Sequence, residues 1–302
     1  MRGRFAPSPT GALHLGNLRT ALVSWLQARA GGGEWLVRME DLDRVTSSPH
    51  HEAEQLRDLA TLGMVSDGAV VRQSERFERY HQAIATLRAA DRVYDCFCSR
   101  REIREAAQAP HGEFPDGAYP GTCRTLTAAA RSQHLAEGRR PALRLRTEGE
   151  RFEVSDLIAG RFEGGVDDVV LQRNDGVPAY NLAVVVDDAA QDITDVVRGD
   201  DLLSSTPRQM LLQQLLGLPH PRYAHVPLVL APDGTRLAKR HGAVTLGDLA
   251  QRGVTPAQVL ARLGESLALC GRDDVVTVPD LLARFRIEQV PTTPWWLATT
   301  DL

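Results

Sequence analysis

Arg4-Phe-Ala-Pro-Ser-Pro-Thr-Gly11-Ala-Leu-His14-Leu-Gly16-Asn17 is the stretch whose reading decides the fold. After Asn17, residues Leu18, Ala21, Leu22, Trp25 and Leu26 recur at helical spacing, so the Pro/Gly run is a loop that leaves a short strand and opens a helix. A helix N-terminus presents unpaired N–H groups and partial positive charge, which suits a phosphate. Gly11 and Gly16 let a backbone or a base approach where a side chain would clash. His14 can donate a hydrogen bond to a phosphate that gains charge during a displacement. His-x-Gly by itself fits an ordinary β-to-α turn equally well, so the weight rests on the whole run.

Working outward, Trp35-Leu-Val-Arg-Met39 reads as a buried strand that delivers Glu40-Asp41-Leu42-Asp43 at its C-terminal end, where ligands bind in open α/β sheets. A carboxylate there can hold an ammonium. Residues 52–62 and 76–90 have amphipathic spacing with Gly63 as a stop, so the alternation of strand and helix predicts a parallel sheet. Asp168-Val-Val-Leu-Gln-Arg173 and Pro178-Ala-Tyr-Asn-Leu-Ala-Val-Val-Val-Asp-Asp188 flank an Asp175-Gly176 turn and read as a hairpin, whose second strand starts with Tyr180 and Asn181. A further short apolar strand carries Arg198 and Gly199, and the arginine offers a planar fork for a carboxylate.

Arg236-Leu-Ala-Lys-Arg240 is a short basic loop after a Pro-flanked strand. Together with residues 4–22 it resembles the two nucleotide-binding motifs of class I aminoacyl-tRNA synthetases. Gln73-Ser-Glu-Arg76, Tyr180-Asn-Leu-Ala183 and Arg198-Gly-Asp200 extend the similarity to glutamyl-type synthetases over residues 4–245. The resemblance implies an α/β fold: a Rossmann-type class I catalytic domain over 1–245, with a zinc-bearing, acceptor-binding insertion at about 95–185 and a short helical C-terminal region over 246–302. It also implies catalytic roles for His14, Gly16, Asn17 and Lys239. Nucleotide contacts fall to His14, Gly16, Arg236, Leu237, Ala238, Lys239 and Arg240. Glutamate contacts fall to Arg4, Phe5, Ala6, Pro7, Ser8, Glu40, Tyr180 and Arg198. The second motif departs from the family pattern at Arg236 and Ala238, which stand where a lysine and a serine are usual; this bears on rate and ATP affinity, not on the reaction class.

Cys96-Phe-Cys98 and Tyr119-Pro-Gly-Thr-Cys123 bracket a loop rich in Pro, Gly and His. In a reducing compartment such a pattern reads as metal ligation, with three thiolates for Zn²⁺ and one tetrahedral position left for Tyr119 or His111. Chemistry alone favours His111. The glutamyl-Q tRNA(Asp) synthetases, which the Cys96/Cys98/Tyr119/Cys123 pattern resembles, imply Tyr119. Cys270 reads as a core residue.

The composition, 43% hydrophobic and 25% charged over 302 residues, is that of a globular enzyme with a sizeable core. No run approaches the roughly 20 apolar residues of a membrane span, and with a Pro/Gly motif directly at the start no leader is expected. The expectation is a cytoplasmic monomer. Net charge is −4, so a tRNA partner needs a local basic face, for which Arg139, Arg140, Arg144 and Arg146 are candidates. About 60 residues follow the second motif, helical in pattern over 246–251, 256–269 and 279–287, and too few for an anticodon-binding domain like that of glutamyl-tRNA synthetases. The resemblance therefore implies ATP with Mg²⁺ and L-glutamate as substrates, activation without tRNA, and transfer to queuosine of tRNA(Asp). Charging of a tRNA 3′ end by a short glutamyl-tRNA synthetase, and a non-catalytic zinc- and RNA-binding relative, are the competing readings.

Overall fold

Strand β1 (Arg2–Phe5), helix α1 (Leu15–Ala30) and strand β2 (Glu34–Met39) open the chain in a computed structural model that describes residues 1–99, 101–103, 118–237 and 244–297. Helix α2 (Pro49–Thr61), strand β3 (Val71–Arg72) and helix α3 (Phe77–Ala89) follow. The next stretch holds β4 (Val93–Cys96), α4 (Ala128–Ala136), β5 (Ala142–Leu145), β6 (Arg151–Asp156), β7 (Gly160–Gly165) and β8 (Val170–Gln172). Helix α5 (Tyr180–Ala190), β9 (Asp195–Gly199), α6 (Thr206–Leu216) and β10 (Arg222–Val226) return to the main sheet, and β11 (Val229–Leu230) follows outside it. Three short helices, α7 (Leu246–Gln251), α8 (Pro256–Glu265) and α9 (Val278–Arg284), and strand β12 (Trp295–Trp296) complete the described chain.

The main sheet has the order β3-β2-β1-β9-β10-β6-β7, parallel except for the β6–β7 hairpin. Strand order reverses between β1 and β9, so the loops leaving their carboxyl ends diverge and open a crevice. β2 shows why the sheet is parallel and covered: Trp35, Val37, Arg38 and Met39 are all buried, and such strands read as near-continuous apolar runs. Two polar groups beneath α1 are satisfied in sequence, Trp35 Nε1 donating to Ser24 Oγ (3.0 Å) and Ser24 Oγ to the Arg4 carbonyl (2.9 Å). A separate antiparallel sheet, β4-β5-β8, carries Cys96 at the end of β4.

Two expectations are corrected. The apolar run after the Asp175-Gly176 turn is not a strand. Gly176 turns at φ +87° and Pro178 bridges back to Gln172, but the chain then enters α5 at Tyr180. Short apolar runs do not distinguish a strand from a helix segment buried on most sides. Here Leu182, Ala183, Val184 and Val185 are all buried, and the following Asp187 and Asp188 are buried too. The second correction concerns the arginines at 139–146, which do not form one exposed face. Arg144 is buried with its guanidinium 3.6 Å over the Tyr119 ring, Arg139 donates to the Phe97 carbonyl, and Arg146 lies over Tyr94; only Arg140 is exposed.

The C-terminal helices share a core with α1: Leu249, Leu263, Leu281 and Phe285 are buried in the same cluster as Leu18, Leu22 and Trp35. Each of the three is capped by a threonine whose side chain exchanges hydrogen bonds with Asp248, Gln258 or Asp280. Helix α8 stops at Glu265, short of the expected Leu269, where Ala268 adopts φ +58°. Cys270 is half-buried against this core and donates to the Ala261 carbonyl. Among the described residues no helix is long and apolar enough to cross a membrane.

Candidate active site

At the crevice between β1 and β9 lies a cavity of about 650 Å³ lined by Arg4, Ser8, His14, Glu40, Tyr180 and Arg198, with Gly16, Asn17, Arg236 and Leu237 also on its wall. The loop after β1 is pinned from three sides. Gln55 Nε2 donates to the carbonyls of Ser8 (3.0 Å) and Gly11 (2.7 Å), the Glu40 N–H to Pro7 and the Ser48 N–H to Pro9. Phe5, Ala6 and Pro7 supply backbone and apolar wall at the strand exit. Gly11 has open space around an added Cβ, so protein packing does not demand glycine there.

His14 is the N-cap of α1. The Asn17 N–H donates to His14 Nδ1 (3.3 Å) while the His14 N–H donates to Asn17 Oδ1 (3.2 Å). An Nδ1 that accepts leaves the ring proton on Nε2, and burial lowers the pKa of the imidazole, so His14 offers one neutral Nε2–H beside the helix N-terminus. Gly16 is packed against this ring: a Cβ added to it would lie 3.0 Å from His14 Cε1 and Nδ1. Hydrogen bonds from Leu237 N to Val229 O (3.1 Å) and from Leu15 N to Val244 O (2.9 Å) hold the start of the second motif, and the chain four residues beyond it, against the same wall. Ala238, Lys239 and Arg240 lie outside the described residues, as does His111. Arg236 pairs with Asp201 at 2.9 Å.

The two arginines expected to meet carboxylates are not equivalent. Arg4 is paired with Asp188 through Nε (3.1 Å) and Nη2 (3.4 Å), and Arg38 Nη1 reaches the same carboxylate at 2.7 Å. Burial works against the Asp188 charge, but Arg4 and Arg38 outweigh it and hold the carboxyl below its usual range. Arg198, also buried, donates to His225 Nε2 (3.0 Å), Gln209 Oε1 (2.7 Å), Thr206 Oγ1 (2.9 Å) and the Leu202 carbonyl. All four acceptors are neutral, so among the described residues its charge has no counter-ion at contact distance, and a ligand carboxylate can supply one. Glu40 sits near Arg38 with its pKa raised by burial, against the pull of Arg38 and Arg4, and gains from a cation brought to it. Asn181 lies behind Tyr180, where it accepts from Gln209 Nε2 (3.0 Å).

Sequence reasoning missed Arg38, Asp187, Asp188 and His225. The available signal was charge inside apolar runs, which is rarely left unpaired when buried.

The cysteine cluster gathers where β4 ends at Cys96. Sulfurs of Cys96, Cys98 and Cys123 fall within 4.8 Å of one another, and Tyr119 Oη lies 3.3 Å from Cys96 Sγ and 3.5 Å from Cys98 Sγ. Tetrahedral ligands with metal–sulfur bonds of about 2.3 Å stand roughly 3.7 Å apart, so these four donors fit one ion. Burial pushes the Cys98 thiol up to about 12 and the Tyr119 phenol upward as well, and crowded donors of this kind ionise when a cation offsets the charge. The Cys123 N–H donated to Tyr119 Oη (2.8 Å) acts against that rise, and Arg144 lies over the same ring.

Comparisons with known proteins agree with this geometry. The profile of tRNA synthetases class I (E and Q), catalytic domain, matches residues 1–302. Proteins named glutamyl-Q tRNA(Asp) synthetase from Nocardia farcinica and Symbiobacterium thermophilum are 58% and 48% identical to this chain, over 99% and 97% of it and 94% of each of them. The crystal structure of glutamate-tRNA synthetase from Elizabethkingia anophelis superposes with a TM-score of 0.85 at 28% identity, covering 100% of this chain and 68% of that one. The chain belongs to the class I tRNA synthetases of the E and Q group, as a member of their catalytic-domain family.

Proposed function

We infer that this protein activates L-glutamate with ATP and transfers it to queuosine of tRNA(Asp). The observation that carries the reading is Arg198, a buried guanidinium bonded to neutral acceptors, on the wall of a cavity that also holds Glu40 and a helix N-terminus capped by His14. This combination suits an amino acid that brings its own carboxylates and ammonium to a triphosphate. The acceptor is supported by the names of the two bacterial relatives, which align over nearly their whole length.

In the first step the glutamate α-carboxylate attacks the α-phosphorus in line. A C–O–P bond forms while the bond to the β-phosphate oxygen breaks, with its electron pair leaving on pyrophosphate. His14 Nε2–H and the N-terminal dipole of α1 stabilise the transferring phosphate, and Lys239 the leaving group; Mg²⁺ accompanies the nucleotide. Glu40 receives the substrate ammonium, Arg198 a carboxylate, and Tyr180 closes the side of the pocket. A queuosine hydroxyl then attacks the mixed-anhydride carbonyl, AMP departs with the bonding electrons, and its phosphate takes the hydroxyl proton.

Zn²⁺ held by Cys96, Cys98, Cys123 and Tyr119 is part of this reading. Those residues would hold it, and when bound it would play a structural part, tying the end of β4 to residues 119–123.

Glutamate-dependent ATP–pyrophosphate exchange in the absence of RNA tests the first step. Transfer should then occur to queuosine-bearing tRNA(Asp), including RNA whose 3′ end alone is blocked, and not to the same transcript without queuosine. Glutamate found on the 3′-terminal adenosine instead would replace this acceptor with the one used in ordinary charging.

A further inference from the structure

Arg198 is held by a chain of contacts that crosses the main sheet sideways. Its register partner on β10 is His225, and β10 pairs in turn with β6, which ends at Asp156. Arg198 Nε lies 3.0 Å from His225 Nε2, and His225 Nδ1 lies 2.6 Å from Asp156 Oδ2; both side chains of the His–Asp pair are fully buried.

Proton positions follow from donor chemistry. A guanidinium can only donate, so His225 Nε2 must accept, and the single ring proton sits on Nδ1, where Asp156 receives it. Thr206 Oγ1, itself an acceptor from Arg198 Nη2 (2.9 Å), lies 3.3 Å from the same Nε2 and can place its own proton there. Asp156 is also fixed: its Oδ1 accepts from the backbone N–H groups of Ile158 (3.0 Å), Ala159 (2.8 Å) and His225 (3.0 Å), so only Oδ2 is left for the imidazole. Burial holds the His225 pKa below its ordinary value, and the nearby Arg198 charge acts in the same direction.

We propose that Asp156 and His225 are positioning residues for the amino-acid site: Asp156 locks His225 in its Nδ1–H tautomer, and the acceptor so left at Nε2 orients Arg198 toward the substrate carboxylate. The proposal rests on the glutamate reading above. It assigns a specificity role to two residues that are themselves away from the cavity wall.

Asp156→Asn separates this role from a packing role. Three backbone donors keep the amide oxygen in the Oδ1 position, so the amide N–H₂ faces His225 Nδ1. The ring must then carry its proton on Nε2, pointing an N–H at the N–H of Arg198. A lost charge-assisted hydrogen bond of this kind raises KM for glutamate by about tenfold or more. Turnover at saturating glutamate and KM for ATP stay within about twofold. In His225→Gln the side-chain oxygen occupies the acceptor position without any tautomer, so its KM stays near wild type and adding Asp156→Asn produces no further rise.

Nitrogen-15 NMR of the labelled imidazole reports the tautomer independently of activity, with Nδ1–H expected in the wild type and Nε2–H in Asp156→Asn. An unchanged glutamate KM in Asp156→Asn, or a wild-type Nε2–H tautomer, overturns the positioning role alone. If calorimetry finds no glutamate binding by the wild type while the Nδ1–H tautomer is present, the glutamate reading falls and takes the positioning role with it.

Discussion

Gly16→Ala should separate activity from stability. Gly16 is the second residue of α1, and the added Cβ would sit 3.0 Å from His14 Cε1 and Nδ1 and 3.5 Å from Val229 Cβ. An ordinary contact needs about 0.4–1 Å more than the first distance, and Val229 closes the other side, so the imidazole has to move. Displacing His14 weakens the Nδ1 cap, worth roughly 1 kcal/mol, while alanine in place of glycine in a helix gains up to about 1 kcal/mol, so the melting temperature should barely change. The displaced Nε2–H meets the transferring phosphate less well. A misplacement on the order of 1 Å costs about 10²-fold in rate, so a shift of a few tenths of an ångström costs roughly tenfold or less. Pyrophosphate exchange should therefore show kcat reduced by up to about tenfold with KM for ATP nearly constant. A raised KM for ATP with kcat intact would instead mean that the methyl group excludes nucleotide directly. Wild-type kcat and KM together would refute the argument that Gly16 keeps His14 in place.

Asp188→Leu should destabilise the fold by about 3–5 kcal/mol in chemical denaturation, because it leaves Arg4 and Arg38 without their shared buried carboxylate. Because the folded Asp188 pKa is depressed, its stabilisation is fully present above the unfolded value of about 3.9 and disappears as pH falls through the lower folded value. Wild-type melting should show this acid loss, and the variant should show less of it. Glu40 shifts the other way: burial raises its pKa, and it must be ionised to hold an ammonium, so KM for glutamate should rise on acidification while the pH is still above the ordinary carboxylate range. A Glu40→Gln variant with the same pH profile would assign that titration elsewhere. Purified protein should contain about one zinc per chain, and Cys98→Ser should lower both occupancy and melting temperature, since metal binding contributes folding free energy. Full occupancy in Tyr119→Phe would move the fourth ligand position to another donor.

The sequence alone determined the parts that depend on near neighbours. A proline-glycine loop followed by apolar residues at helical spacing can only leave a strand and open a helix, and His14 and Asn17, three residues apart, cap that helix through each other's backbone. Cys96 and Cys98 were legible for the same reason, being close in the chain and of a single chemistry. Tertiary structure decided what depends on residues far apart. The run after Pro178 became a helix because helical packing buries its apolar side chains and carries Asp187 and Asp188 to Arg76, Arg38 and Arg4. Arg4 and Arg198 look alike as sequence, yet one is neutralised by Asp188 and the other meets His225 and, behind it, Asp156. Strand order sets Arg198 beside His225 and Asp156, whereas Arg4 meets Asp188 from helix α5 packed on the sheet; both bring together residues that the chain separates by dozens of positions, and the charge state of a buried group follows from those neighbours.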